Sequence, residues 1–201
     1  MFEDDYIAGN PSLAGTGSLV VVSGCSGSGK SSLLTEMARR DYPVQPEVGR
    51  QIVKEQLLIG GDALPWANAA WFAELAASRA ACQFNIARPG PRPTLFDRSV
   101  VDLVAWFGRQ GLPTPAHLKA MLDVYSFANT VFMSPPWREL FRTDTERRHG
   151  FAEAVTEYDG LVTAYQDLGY RIVEIPRAPL TARADFLESD LNCAQPEDEN
   201  R

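Results

Sequence analysis

Histidine occurs only twice, as His117 and His149, which argues against a histidine-built zinc centre. The three cysteines, Cys25, Cys82 and Cys193, are odd in number, widely spaced and form no CxxC pair. That pattern fits a reducing compartment better than a disulfide framework. No apolar run approaches the ~20 residues that a membrane helix needs. The first residues, Met-Phe-Glu-Asp-Asp, are acidic where a signal peptide would be basic. Positive charge is short as well: 19 Lys and Arg stand against 26 Asp and Glu, a net charge of −7. Nucleic acids and anionic membranes recruit basic patches, so neither is expected as a partner. These absences predict a cytoplasmic protein that acts on a small molecule. They leave monomer and homodimer both open.

What is present is a chain of 201 residues with 45% hydrophobic residues, enough for one packed α/β domain. Residues 1–17, rich in Gly, Ser, Asn and acid, read as a flexible lead. Residues 190–201, ending Gln-Pro-Glu-Asp-Glu-Asn-Arg, read as a solvated acidic tail. The domain is expected over 18–189, with no internal repeat. Short apolar strands are predicted at 19–22, 94–96, 130–133 and 170–175, with an extended piece near 42–46. Helices are predicted at 30–40, 48–59, 65–88, 99–110, 115–127, 151–168 and 180–188. This alternation predicts a parallel sheet with helices on both faces.

Gly24-Cys25-Ser26-Gly27-Ser28-Gly29-Lys30-Ser31 matches the Walker A phosphate loop in full, between an apolar strand and a helix. Glycines let backbone N–H groups converge on phosphate oxygens without a Cβ clash. The helix start adds the positive end of its dipole. Gly24, Ser26, Gly27, Ser28, Gly29, Lys30, Ser31 and Ser32 are therefore the expected nucleotide-binding residues. Lys30 faces the β/γ oxygens of ATP, with GTP as an alternative, and the Ser31 hydroxyl is a Mg²⁺ ligand. Cys25 reads as a small loop filler; a redox role at the helix start is the alternative.

Asp97 ends an apolar strand, the Walker B position, where a carboxylate supports Mg²⁺. Its alternative role, or that of Ser99, is to cap the next helix. The following residue is Arg98 rather than the second acid of many hydrolysing ATPases. Asp-Arg-Ser resembles the Asp/Glu-Arg signature of thymidylate and deoxynucleoside kinases, which implies that Arg98 organises acceptor or phosphate. Glu47 and Arg50 follow the predicted second strand one helical turn apart. In those kinases an acid at this place contacts the acceptor hydroxyl as base. The alternative is an exposed first-turn glutamate stabilised by the helix dipole.

Arg138, Arg142, Arg147 and Arg148 lie between a strand and a helix with no lysine among them. Arginine forks suit phosphate oxygens. The segment resembles the LID of small-molecule kinases, which would put Arg138, Arg142 and Arg148 at the transition state. Pairing with Glu139, Asp144 and Glu146 on the surface is the alternative. Arg177, in the Pro-Arg-Ala-Pro turn after the last strand, could stack on the base, or belong to a plain turn. Of Trp66, Trp71, Phe72, Phe84, Trp106 and Phe107, most are expected in the core and one or two in an acceptor pocket.

Taken together, Gly-Cys-Ser-Gly-Ser-Gly-Lys-Ser, Pro-Glu-Val-Gly-Arg, Phe-Asp-Arg-Ser, the block from Val-Phe-Met-Ser-Pro-Pro-Trp to Glu-Arg-Arg, and Val-Glu-Ile-Pro-Arg-Ala resemble the small AAA-domain family. These are predicted ATPases related to the kinase domain of ribosylnicotinamide kinases. The resemblance spans about 18–188. It implies a three-layer P-loop NTPase with a five-stranded parallel sheet in an order near 2-3-1-4-5, Mg-ATP or Mg-GTP as cofactor, and a LID. It implies no particular substrate. The Asp-Glu pair of AAA+ machines and the Leu-Ser-Gly-Gly-Gln signature of transporter ATPases are both missing. The expected activity is phosphoryl transfer to a small hydroxyl-bearing, nucleoside-like acceptor. In this reading Lys30, Glu47, Asp97 and Arg98 are catalytic, Glu47, Arg50 and Arg98 touch the acceptor, and Ser31 and Asp97 hold the metal. The alternative is a nucleotide-gated binding module with slow hydrolysis and a protein partner. A gluconate- or shikimate-type kinase shares the phosphate loop but not the later blocks.

Overall fold

The computed structural model describes residues 6–141 and 150–194. Strand β1 (Leu19–Gly24) is buried along its whole length, as its unbroken β-branched run requires of a central parallel strand. It pairs with β3 (Thr94–Asp97) on one side and β4 (Thr130–Ser134) on the other. The short β2 (Val44–Gln45) and β5 (Arg171–Glu174) form the edges. The sheet is parallel throughout, in the order β2-β3-β1-β4-β5. The expected order and sheet type are thus observed.

Alternation along β1 builds two cores. Leu19 and Val21 face a cluster with Phe84, Val101, Leu161 and Tyr165. These come from α3 (Ala69–Ile86), α4 (Val100–Arg109) and α6 (Phe151–Asp167). Val20 and Val22 face Leu33, Leu34, Met37, Leu187 and Leu191, from α1 (Lys30–Arg39) and α7 (Leu180–Ala194). The result is three layers. A smaller cluster holds α2 (Val48–Ile59) against α3 through Ile52, Val53, Phe72 and Ala76. Helix α5 (Ala116–Val124) closes the outer side through Leu118.

Several boundaries moved for local reasons. Helix α3 starts at Ala69 rather than at 65, because Asn68 caps it by accepting the Trp71 N–H at 3.2 Å. Helix α7 continues to Ala194, beyond the expected end at 188, and buries Leu191 in the core. Residues 190–194 are therefore helix rather than tail; 195–201 lie outside the described residues. Within the stretch 1–17, expected as a flexible lead, Gly9, Asn10 and Leu13 are buried against the domain. Leu13 belongs to the main core. The Asn10 amide donates to the carbonyls of Phe84 (2.9 Å) and Ala87 (3.1 Å), and Asn85 accepts the Gly9 N–H at 2.8 Å. The segment's low hydrophobicity concealed this, because beyond Leu13 it is held by hydrogen bonds to the end of α3.

Asn10→Ala would remove two buried hydrogen bonds, leaving the Phe84 carbonyl to the Ala87 N–H and the Ala87 carbonyl to the Arg88 guanidinium. The expected loss is about 1–3 kcal/mol in urea unfolding. A change within about 0.5 kcal/mol, typical of surface substitutions, would mean that the segment merely rests on the surface.

Candidate active site

All five strands end at one edge of the sheet, and the phosphate loop, Glu47, Asp97 and Arg98 lie at those ends. The phosphate loop leaves β1 at Gly24, whose φ is 128°. A Cβ at that position would sit 2.2 Å from the Ser134 carbonyl oxygen, so the loop lies against β4 only because residue 24 is glycine. Gly29 has φ 82° and opens α1. The loop is braced from inside. The Ser28 hydroxyl donates to the Cys25 carbonyl at 2.9 Å, so the Ser28 side chain is spent inside the loop. The Lys30 ammonium is buried and donates to the carbonyls of Gly24 and Cys25, both at 2.8 Å. Burial, with Arg98 second, lowers its pKa. Ser31 and Ser32 are exposed at the helix start. Burial pushes the Cys25 thiol up, which suits the filler reading rather than a reactive thiolate.

Opposite the loop is a cluster of charges centred on Arg98. Its backbone is left-handed, with φ 74°, an uncommon state for a side-chain-bearing residue. The guanidinium reaches Glu47 (Nε to Oε1, 3.2 Å), Asp102 (3.2 Å) and Glu157 (3.0 Å). The Glu47 contact lacks hydrogen-bond geometry at Nε and is an ion pair only. The second Glu157 oxygen accepts the backbone N–H of Ser26 at 2.9 Å. Asp102 also accepts from the hydroxyls of Ser23 (2.5 Å) and Tyr165 (2.6 Å). Asp97 is buried, and its Oδ1 has no hydrogen-bond partner among the described residues. Burial first and Glu47 second raise its pKa to about 7, against the pull of Lys30 and Arg98. Asp97 does not cap α4. Ser99 does, accepting the Val101 N–H at 3.1 Å, while Asp102 accepts the Ser99 N–H at 2.9 Å.

Beside the cluster opens a cavity of about 690 Å³, within the roughly 300–1,000 Å³ range of small-molecule sites. Ser26 of the phosphate loop lies in its wall, with Glu47, Arg50, Arg98 and Arg109. Trp66, Phe72 and Trp106 supply its apolar side, Phe72 meeting Trp106 edge-to-face at 5.6 Å. These three are the pocket aromatics that the sequence left unselected. Phe84 and Phe107 are core, and Trp71 is exposed on α3.

A family model described as an AAA domain matches residues 19–183. The chain belongs to this AAA-domain family. Deoxyadenosine kinase from M.mycoides with the products dCMP and a flexible dCDP bound superposes with a TM-score of 0.60 at 12% identity, covering 88% of this chain and 100% of that one. The same enzyme with dATP bound gives 0.53 at 13% identity, over 87% and 98% of the two chains. Thymidylate kinase from Ehrlichia chaffeensis gives 0.53 at 15% identity, over 88% and 99%. At such identities the likeness is one of fold. No curated protein matches the sequence.

In this AAA-domain protein four residues at the site had no local signal. Asp102 hides as the third residue of a capped helix. Glu157 and Arg109 lie on α6 and α4, where they look like surface charges in sequence. Arg183, on α7, is buried and donates to the Ser28 carbonyl (3.2 Å) and the Ser134 hydroxyl (2.8 Å), tying the phosphate loop to β4. The arginine-rich segment is resolved differently. Arg142, Arg147, Arg148 and His149 lie outside the described residues. Arg138 is exposed and stacks over the Phe151 ring at 5.1 Å. Arg177 is half exposed and donates to the Pro136 carbonyl at 3.0 Å.

The residues fit a hard divalent cation. Asp97 offers a buried oxygen without a partner, and Ser31 an exposed hydroxyl at the loop. Among the described residues no three His, Cys, Asp or Glu side chains form a ready-made cage. Mg²⁺ takes few protein oxygens and completes its shell with phosphate oxygens and water.

Glu157 carries a pH signature. Burial alone would raise its pKa, but Arg98, the Ser26 N–H, Lys30 and Arg109 outweigh burial and hold it at about 2, against 4.5 when free. The resulting stabilisation, about 3 kcal/mol, is complete above the free value. It is lost as pH falls from 4.5 towards 2. Glu157→Gln should therefore destabilise by about 3 kcal/mol at pH 7 in urea unfolding, and the gap to wild type should close on acidification through that window. A gap that does not change with pH would refute the network's role.

Proposed function

We propose that the protein is an ATP-dependent phosphotransferase whose acceptor is a small hydroxyl-bearing, nucleoside-like metabolite. The observation that carries this reading is the cavity of about 690 Å³ opening beside Ser26 of the phosphate loop, with Glu47 and Arg98 in its wall. A purely hydrolytic enzyme needs room for one water. A cavity of this size beside the nucleotide's end supports a larger acceptor.

In this reading the main chain of residues 24–31 and the Lys30 ammonium hold the phosphates of ATP, or of GTP. Mg²⁺ held by Asp97 and Ser31 would neutralise charge on the transferring group when bound. The bond between the γ-phosphorus and the β,γ-bridging oxygen breaks, a bond from γ-phosphorus to the acceptor oxygen forms, and ADP leaves with the bridging electrons. Glu47 takes the acceptor hydroxyl's proton. Arg98 stays fixed by its three carboxylates and presents its charge to the reacting oxygens. Arg50 contributes to acceptor binding. Arg177 borders the base, and the transition-state charge is assigned to Arg138 together with Arg142 and Arg148, which lie outside the described residues.

Steady-state phosphorylation with a nucleoside and sugar panel tests the proposal. One acceptor should stimulate ATP use strongly. Glu47→Gln should lower kcat by about 10²–10⁴-fold, the usual worth of a general base, with ATP affinity kept. Lys30→Ala should abolish nucleotide binding. Slow ATP use that no acceptor stimulates would favour the nucleotide-gated module, and transfer that survives Glu47→Gln would remove Glu47 as the base.

A further inference from the structure

Arg109, in the last turn of α4, is a poorly paired cation at the site. Its side chain is 24% exposed and lines the cavity. Its Nη1 is buried and has no hydrogen-bond partner among the described residues. Its nearest carboxylate oxygen, Glu157 Oε1, stands 3.9 Å from Nη2, beyond hydrogen-bond reach. That oxygen is already taken by Arg98 at 3.0 Å, and the other Glu157 oxygen by the Ser26 N–H. Asp102 is likewise occupied by Ser23, Tyr165, the Ser99 N–H and Arg98. Glu47 pairs with Arg98, and Glu153 accepts the Gly150 N–H at 2.6 Å. Every carboxylate lining the cavity therefore has another partner. A partly buried cation left so poorly paired costs stability, and desolvation accordingly lowers the Arg109 pKa. Such a cost is characteristic of groups that await a ligand.

We infer that Arg109 is the anion-recognition residue of the cavity, and that the acceptor carries an anionic group, a phosphomonoester or a carboxylate. This rests on the phosphotransferase reading. It deepens that reading by naming the acceptor's charge. Arg109 is one carboxylate removed from the phosphate loop, since Glu157 faces both. The anionic group thus lies near the transferring phosphoryl group. The transfer step keeps its balance: where the receiving oxygen is a hydroxyl, its proton goes to Glu47; where it belongs to a phosphomonoester dianion, no proton is displaced.

The test uses the full chain and paired acceptors: a nucleoside with its 5′-monophosphate, a sugar with its phosphate, and a polyol with the matching hydroxy acid. The first two pairs report a phosphomonoester and the third a carboxylate. The anionic member of one pair should be preferred. For that member Arg109→Met should raise KM by roughly 10–100-fold, the worth of a charge-assisted hydrogen bond, with a smaller change in kcat. Arg109→Lys should recover part of the loss. In thermal unfolding without ligand, Arg109→Met should cost little stability, because its one ion pair, to Glu157, is long and Arg98 keeps that carboxylate paired at 3.0 Å. Binding of the same compounds is followed separately by the fluorescence of Trp66 and Trp106, in the cavity wall. Preference for the neutral members, equal KM effects on both members, or an Arg109→Met protein that melts lower with KM unchanged would each overturn the inference. Arg109-dependent binding of anions without phosphorylation would uphold it and reject the phosphotransferase reading. Neither binding nor transfer across the panel would reject both.

Discussion

The Arg98 guanidinium, shared among Glu47, Asp102 and Glu157, is the interaction on which the site depends. Each carboxylate comes from a different place in the chain: Glu47 from the start of α2, Asp102 from α4, Glu157 from α6. Together they bind the cavity walls to the sheet edge. Charges taken out of water are tolerable only when paired and hydrogen-bonded on several sides. Here the demand is met by the Ser26 N–H on Glu157 and by Ser23 and Tyr165 on Asp102. The left-handed backbone at Arg98 fits this account. Such a conformation costs of order 1–3 kcal/mol, and the converging carboxylates hold it in place.

The same network joins the phosphate loop to the cavity. Glu157 touches the phosphate loop through Ser26 and the cavity cations through its other oxygen. On the far side Arg183 and Ser134 hold the loop against β4. Gly24 allows that approach by having no side chain. The loop is therefore preorganised from both faces, with Lys30 resting on its own carbonyls. Preorganised dipoles and charges need little rearrangement when a phosphate arrives, which is where electrostatic catalysis draws its strength.

Legibility followed distance in sequence. Strand runs, the phosphate loop and Asp97 are local patterns, because period and glycine spacing are imposed by backbone geometry within a few residues. Glu47 and Arg98 were legible as ends of strands, since parallel strands deliver their C-terminal residues to one edge. Glu157, Arg109 and Arg183 were not. A single charged residue on a helix looks the same whether it faces water or a buried partner, and its role depends on which helix packs opposite. Asn10 was hidden for a related reason: its value lies in capping the end of α3, remote in sequence.

By itself, then, the sequence determined a parallel three-layer P-loop domain, the Walker A loop between β1 and α1, and the strand-end residues that face it. Backbone periodicity and glycine stereochemistry are local properties. Tertiary structure alone decided the size and lining of the cavity, the threefold pairing of Arg98 and the poorly paired Arg109. Those depend on how α2, α3, α4 and α6 pack over the sheet. Charge satisfaction is a property of neighbours in space, and no local pattern in the chain records it.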